Sequence, residues 1–364
     1  MRRGILTKVA AITAIATALT GALPALAAGA AGHGKSARSA AVPWKLKLAI
    51  SYFPSAGHHS QYDTALAVGG TGWFFGGSNF SGRGVPEAET RQHDRWRQSV
   101  LPRGLRSWIT GASAVSPADI WAVTYLGGSV VHWNGSAWAV QPKGGWTANA
   151  LFTGVAAAGP QNVWLFGATG RPGKGAGTWH LTGSKWAKVK GAAAHIDKAS
   201  AVSASDIWAI GGTGGSLKAL LQLRGATWHR VSPAALSGFS YSAVLAVSPA
   251  DVWVAGSVAG TQELGHYDGH AWTVVSVPSA TPVSAICRDG RGGLWVISNP
   301  GIGPSGLLNW SASGHWKFAK VSSTSANEVF ACALIPGTKS AWGVGRASAP
   351  KGTAAAVYGY GPTP

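Results

Sequence analysis

The chain has 364 residues, with 30 Lys and Arg against 12 Asp and Glu (net +18), 52 Gly and 19 Trp, but 2 Cys and 1 Met. An apolar content of 46% can build a real core, which excludes general disorder, and glycine without a three-residue period excludes a collagen. Two cysteines exclude a disulfide scaffold and an all-cysteine zinc site, and the abundance of Gly and Trp with scarce charge predicts many short strands and tight turns.

Residues 1–8 carry Arg2, Arg3 and Lys8 and no acid, residues 9–23 are apolar and Ala-rich, and Pro24-Ala25-Leu26-Ala27-Ala28 offers an A-x-A cleavage site. This order predicts a secretory signal over residues 1–27, cleaved after Ala27, with ordinary Sec export preferred over the twin-arginine route. Its removal leaves +15. Residues 28–41, rich in Gly, Ala and Ser, read as a flexible linker. Residues 42–364 read as one repeat domain.

The clearest unit runs Ala114-Val115-Ser116-Pro117-Ala118-Asp119-Ile120-Trp121-Ala122-Val123, then Val131-His132-Trp133-Asn134-Gly135-Ser136-Ala137-Trp138. Its first half recurs at Ser203–Trp208 and Ser248–Trp253, and its second at His266–Trp272. The first tryptophan of each unit is Trp73, Trp121, Trp164, Trp208, Trp253, Trp295 and Trp342, spaced 42–48 residues apart. The second is Trp96, Trp138, Trp186, Trp228, Trp272 and Trp316; the last unit lacks one, and Val42-Pro43-Trp44-Lys45-Leu46 matches the missing piece.

A period of about 40–45 residues with four strand-sized pieces is the propeller signature. Strand A is small and apolar, Ser-Pro-Ala-Asp turns the chain, strand B opens at Ile-Trp, strand C ends at Asn-Gly or Asp-Gly, and strand D carries the second tryptophan. The expected fold is therefore all-β: a seven-bladed β-propeller of four-stranded antiparallel blades, its ring closed by the N-terminal strand near Trp44. Six blades are the alternative count.

The unit A-V-S-x-x-D-I-W-A-V…H-W-N-G-x-x-W resembles the tryptophan-rich repeats of secreted bacterial β-propellers, loosely grouped with WD-repeat and kelch-like proteins. It is also similar to tectonin-type repeats, and that resemblance implies binding to surface carbohydrate. The stretch Asp289-Gly290-Arg291-Gly292-Gly293-Leu294-Trp295 looks like the propeller repeats of sensor-kinase ectodomains.

The twelve acids set the expectation for chemistry. Asp119, Asp206 and Asp251 sit two residues before the first tryptophan, where another unit has Asn162, so the position asks for a turn-making polar group. Glu87 and Glu89 are the only acids that sequence pairs, and they are expected on one long solvated loop. His132, His180 and His266, with Gln222, occupy one repeated position in separate blades, which reads as structural and not as a metal site. No G-x-S-x-G, P-loop or H-E-x-x-H is present. No catalytic residue, metal or cofactor is expected. Cys287 and Cys332 fall at similar depths of strand A in adjacent units; export favours a disulfide, and two buried thiols are the alternative.

The blade pattern also places the charge. Acids and bases balance on the face carrying the A–B and C–D turns. The opposite loop face is basic, and the D-strand rim carries Lys45, Lys47, Arg97, Lys188, Arg230, Lys317 and Lys320 without an acid. The loop face also holds Tyr52, Phe53, Tyr62, Trp108, Trp146, Phe152 and Tyr241, which either ring a channel mouth or plug the top of the core. The candidate ligand-binding set is Trp108, Trp146, Tyr62, Phe152 and Tyr241 with Arg106, His195 and Lys198. The expected function is an exported, monomeric, non-enzymatic binding module for an anionic polysaccharide, cell-wall polymer or anionic membrane surface, with no specific nucleic-acid partner. A neutral-carbohydrate lectin is the first alternative, and a hydrolase or lyase with a loop-built site is the second.

Overall fold

The computed structural model describes residues 43–50, 58–80, 83–148, 150–167, 176–190, 195–212, 219–298, 306–321, 327–350 and 352–363. The predicted signal and linker, Tyr52 and Phe53 lie outside them. Backbone contacts divide the chain into Met1–Arg38 and Ser39–Pro364, and every described residue belongs to the second unit.

The chain opens with β1 (Pro43–Ile50). A first set follows: β2 (His58–Val68), β3 (Thr71–Phe80), β4 (Arg83–Gln92) and β5 (Arg95–Gln98). The second set is β6 (Ile109–Ser116), β7 (Asp119–Thr124), β8 (Val130–Trp133) and β9 (Trp138–Val140). The third is β10 (Gly154–Gly159), β11 (Asn162–Phe166), β12 (Trp179–Thr182) and β13 (Lys185–Lys188). The fourth is β14 (Ile196–Ser203), β15 (Asp206–Gly211), β16 (Ala219–Arg224) and β17 (Thr227–Val231). A 3-10 turn, Ala234–Leu236, precedes the fifth set: β18 (Ser240–Ser248), β19 (Asp251–Val258), β20 (Thr261–Tyr267) and β21 (Trp272–Ser276). The sixth is β22 (Val283–Arg288), β23 (Leu294–Ser298), β24 (Gly306–Trp310) and β25 (Trp316–Val321). The last set is β26 (Glu328–Leu334), β27 (Ala341–Ala349) and β28 (Gly352–Tyr360).

Each set is antiparallel in chain order, and β1 runs antiparallel to β28 as the fourth strand of the last. Short parallel bridges join β1 to β25 and β2 to β28. First strands pack on first strands: β2 on β6, β6 on β10, β10 on β14, β14 on β18, β18 on β22, β22 on β26, and β26 on β2.

The tryptophan repeat explains the packing between sets. The strand-B tryptophan of one set meets the strand-D tryptophan of the next nearly edge-to-face, as in Trp73–Trp138, Trp121–Trp186, Trp164–Trp228 and Trp208–Trp272. Trp295 meets Trp44 in the same way, at 5.1 Å, and Trp342 meets Trp96 at 6.2 Å. Trp44 is fully buried, so β1 supplies the strand-D tryptophan that the end of the chain lacks. Each apolar cluster therefore draws on two neighbouring sets, and truncating one such tryptophan to alanine costs about 3–5 kcal/mol.

The turns are built as their residues demand. Asn134 Oδ1 accepts from the backbone N–H of Ser136 and Ala137, and Asp268 Oδ1 from His270 and Ala271. Gly135 has φ +95°, and a Cβ there would lie 2.9 Å from Ala118 Cβ in the neighbouring turn, so this position needs glycine twice over.

Candidate functional site

The repeated acids and histidines meet in one corner of each middle set. Asp119 Oδ1 accepts from Trp121 Nε1 at 2.8 Å and lies 2.8 Å from His132 Nε2, while the His132 ring stacks on Trp121. Asp251, Trp253 and His266 repeat the arrangement. Asn162 with His180, Asp206 with Gln222, and Asp289 with Asn309 are its variants. These side chains bond each other within one sheet, and none of the described His, Cys, Asp and Glu residues form a metal-holding group.

The aromatic candidates fall at a repeated position. Tyr62, Ile109, Ile196, Tyr241, Val283 and Val329 each stand just before a β-bulge in the first strand, and all are buried. Phe152, also buried, stands two residues before β10. Isoleucine and valine at this position identify it as core. Tyr62, Phe152 and Tyr241 therefore fill the top of the core and do not ring a mouth. Burial also raises the pKa of Tyr241, against the field of Arg230. Trp146 is buried as well: its Nε1 donates to Gly128 O at 2.8 Å, between Phe152 and Trp179. Trp108 is half-buried, stacked on Tyr125 at 5.2 Å and packed over Gly77 and Gly84. Arg106 is exposed. His195 is half-buried, and its Nδ1 is shut off from solvent without a partner. Lys198 is exposed, and its Nζ donates to Ser284 O at 2.6 Å, reaching from β14 past β18 to β22. Trp146 and Phe152 touch each other, whereas Tyr62 and Tyr241 belong to separate clusters.

Bulged residues follow these core positions, and they are mostly small and polar: Asp63, Thr110, Asp197, Ser242 and Ser284, with Phe330 in the last set. Thr110 Oγ1 donates to Phe152 O in the next set, and Thr153 Oγ1 to Ile196 O. The sequence carries the signal as a polar residue one place after all of these core positions except Val329, but a bulge is visible only once register is known.

The acids of the loop face are the larger correction. Glu87 and Glu89 lie in β4 and are each 4% exposed; neither is on a solvated loop. Glu328 on β26 is 5% exposed, and Asp63 on β2 is half-buried. Burial pushes the Asp63 carboxyl up to about 7, opposed by the Gln61 side chain and by Arg346. Burial also pushes Glu87 up to about 8, opposed by Ser78 and reinforced by the charge of Glu89. Arg346 on β27 pairs with Glu328 at 2.7 Å. One oxygen each of Asp63, Glu87 and Glu328 is buried without a hydrogen-bond partner. A third of the chain's acids thus stand on the first and last sets, three of them buried and Asp63 half-buried.

The rim shows the opposite behaviour. Lys45, Lys47, Arg95, Arg97, Lys185, Lys188, Arg230, Lys317 and Lys320, on the outermost strands, are all exposed, and none of those strands carries an acid. Cys287 and Cys332 are joined in a disulfide between β22 and β26, with Cα atoms 5.8 Å apart.

No protein-family model matches the chain, and no curated protein matches it. Solved structures do. A structure of YCF48 bound to D1 peptide is 13% identical, with a TM-score of 0.60 over 88% of this chain and 99% of the other. The virginiamycin B lyase of Staphylococcus aureus is 10% identical, with a TM-score of 0.61 over 86% of this chain and 99% of the other. The extracellular domain of a one-component system of B. thetaiotaomicron, BT4673, is 13% identical, with a TM-score of 0.55 over 84% of this chain and 39% of the other. These neighbours are β-propellers, and the repeated four-stranded sheets of this chain have the same fold. No helix of the described residues is long and apolar enough to cross a membrane.

Proposed function

We propose that the chain is an exported, non-enzymatic, seven-bladed β-propeller that binds an anionic polymer of the cell envelope or extracellular space. The blade count rests on the order of first-strand contacts, which runs from β2 through β26 and returns to β2, and on the Trp295–Trp44 and Trp342–Trp96 pairs. Export rests on the N-terminal signal pattern, and a disulfide suits that compartment. The BT4673 extracellular domain lends the same reading support.

One observation carries the ligand class: cations are displayed while acids are withdrawn. Lysine or arginine on an edge strand discourages edge-to-edge pairing, but here every charge the outermost strands carry is positive and no acid offsets it. Meanwhile Glu87 and Glu89 are buried and Glu328 is paired with Arg346, so few exposed acids oppose the displayed cations. Such a surface collects polyanions through long-range attraction, which salt screens. The lectin reading loses most of its aromatic platform to the core.

The test is retention of the full chain on immobilised polyphosphate as salt is raised. Retention should fall steeply between low and physiological salt. The variant Lys188→Glu/Arg230→Glu/Lys317→Glu should elute at markedly lower salt while keeping its fold. Salt-insensitive retention, or a variant that elutes with the wild type, overturns the reading.

A further inference from the structure

The face carrying the A–B and C–D turns offers a defined cleft that the charge count by sequence hides. It has a volume of about 510 Å³ and is lined by Arg288, Gly290, Leu334, Pro336, Gly337, Thr338 and Lys339. One wall is the turn between β22 and β23, and the other is the turn between β26 and β27. Arg288 and Lys339 are exposed, and no carboxylate lines the space.

The adjacent acid is fully occupied elsewhere. Asp289 is buried; its Oδ1 accepts from the backbone N–H of Arg291 and Gly293, and its Oδ2 from Asn309 Nδ2. It is therefore turned into its own loop and does not neutralise Arg288 across the cleft.

The walls are rigid before any ligand arrives. On one side, Ile335 N donates to Ser340 O, Thr338 N and Thr338 Oγ1 donate to Ile335 O, and Ser340 N donates to Thr338 Oγ1. On the other, Gly290 has φ +75°, and a Cβ there would lie 2.2 Å from Thr338 O, so the two turns meet in backbone contact. The Cys287–Cys332 disulfide ties the strands that carry the walls, one residue before Arg288 and two before Leu334. The backbones that carry the two cations are held in place, so little loop freedom is lost on binding, which favours affinity for a small charged group.

We propose that this cleft is a binding site for a tetrahedral oxyanion, a phosphate or sulfate ester, clasped between Arg288 and Lys339. The planar guanidinium presents paired donors to such a group, and the ammonium supplies a compact charge from the opposite wall. The proposal rests on the anionic-polymer reading and deepens it: the rim collects the polymer, and the cleft takes one of its charged groups.

The test separates the two. Pyrophosphate, too small to span the rim, is titrated into the full chain by calorimetry. Saturable binding is expected, about tenfold or more weaker in Arg288→Ala/Lys339→Ala. It should be unchanged in Lys188→Glu/Arg230→Glu/Lys317→Glu. Cys287→Ser/Cys332→Ser should weaken it while leaving the cations in place. Absence of saturable binding, or an equal constant in Arg288→Ala/Lys339→Ala, overturns the cleft even where polyphosphate retention remains steep in salt. Loss of polyphosphate retention with pyrophosphate binding intact overturns the rim instead. Titrating a sulfated heparin oligosaccharide beside a polyphosphate of equal charge then distinguishes sulfate from phosphate, and a polygalacturonate that binds as tightly as either overturns the tetrahedral preference.

Discussion

Carboxylates do opposite work in the corners of the middle sets and in the interior of the first and last. In the corner of the second set, Asp119 serves Trp121 and His132. Asp251 does the same for Trp253 and His266. Each is partly exposed, so its charge stays solvated while it organises neighbours of its own sheet. At the other place, Asp63, Glu87 and Glu328 each bury an oxygen without a partner, and a single guanidinium, Arg346, faces two of the three. An acid whose oxygens are bonded or solvated is stabilising; one with a buried oxygen left unpartnered is a cost that the rest of the fold must offset.

Arg346 gives the hardest test of that contrast. Removing one partner of a buried ion pair leaves the other uncompensated, at roughly 3–5 kcal/mol. Arg346→Met should therefore lower stability by about 3 kcal/mol in urea denaturation, a figure trimmed because the Arg346 side chain is 27% exposed. Glu328→Gln in the same chain should recover most of the loss. A neutral Arg346→Met would mean that Glu328 carries no charge needing compensation, and the contrast with the corners would collapse.

Glu87 sharpens the contrast through pH. Its carboxyl releases a proton near 4.5 when free and near 8 in the folded chain. Below 4.5 both states hold the proton, and the group is neutral to stability. Between 4.5 and about 8 the unfolded chain has released a proton that the folded chain still holds, so stability falls as pH rises through that window. Above it the penalty is constant. Glu87→Gln should thus be stabilising at pH 8, on the order of 2 kcal/mol, and indifferent at pH 4. Thermal melts of both chains from pH 4 to 9 read the difference directly. A destabilising Glu87→Gln at pH 8 would show that the ionised carboxylate is welcome at this site.

These two places also differ in how far sequence could reveal them. The corners were legible because the Asp–Ile–Trp and His–x5–Trp spacings recur, and recurrence exposes a structural position without any knowledge of contacts. Trp44 was legible for the same reason: it completes a pattern. The bond between the repeated acid and the repeated histidine was not, since it needs the register that sets Trp121 opposite His132. Nor was the burial of Glu87 and Glu89. Glu87 and Glu89 alternate with Pro86 and Ala88 as solvated residues would, and only the long β3–β4 ladder sets them opposite Gly76 and Phe74. Tyr62, Phe152 and Tyr241 left two readings open in the sequence, a ringed channel mouth or a plugged top of the core. Ile109, Ile196 and Val283 at the same offset were the available evidence for core.

The corners yield the smallest effect and the cleanest one. The third set builds its corner with Asn162, whose Oδ1 lies 2.9 Å from His180 Nε2 while Trp164 Nε1 is buried without a partner, so an amide serves the histidine. Asp251→Asn should keep an oxygen for Trp253 Nε1 and His266 Nε2, and change stability by less than about 0.5 kcal/mol. Asp251→Ala removes both bonds and should cost about 1–2 kcal/mol, with no dependence on pH in the range where Glu87 titrates. The pair separates two roles that a single alanine variant confounds. If Asp251→Asn cost as much as Asp251→Ala, the negative charge itself would hold His266. The corner would then be an ion pair, and acidification through the carboxylate range should weaken the wild type in parallel. If the asparagine variant is silent, the aspartate of the corner is an acceptor and nothing more, in contrast to Glu87, whose ionisation is linked to folding.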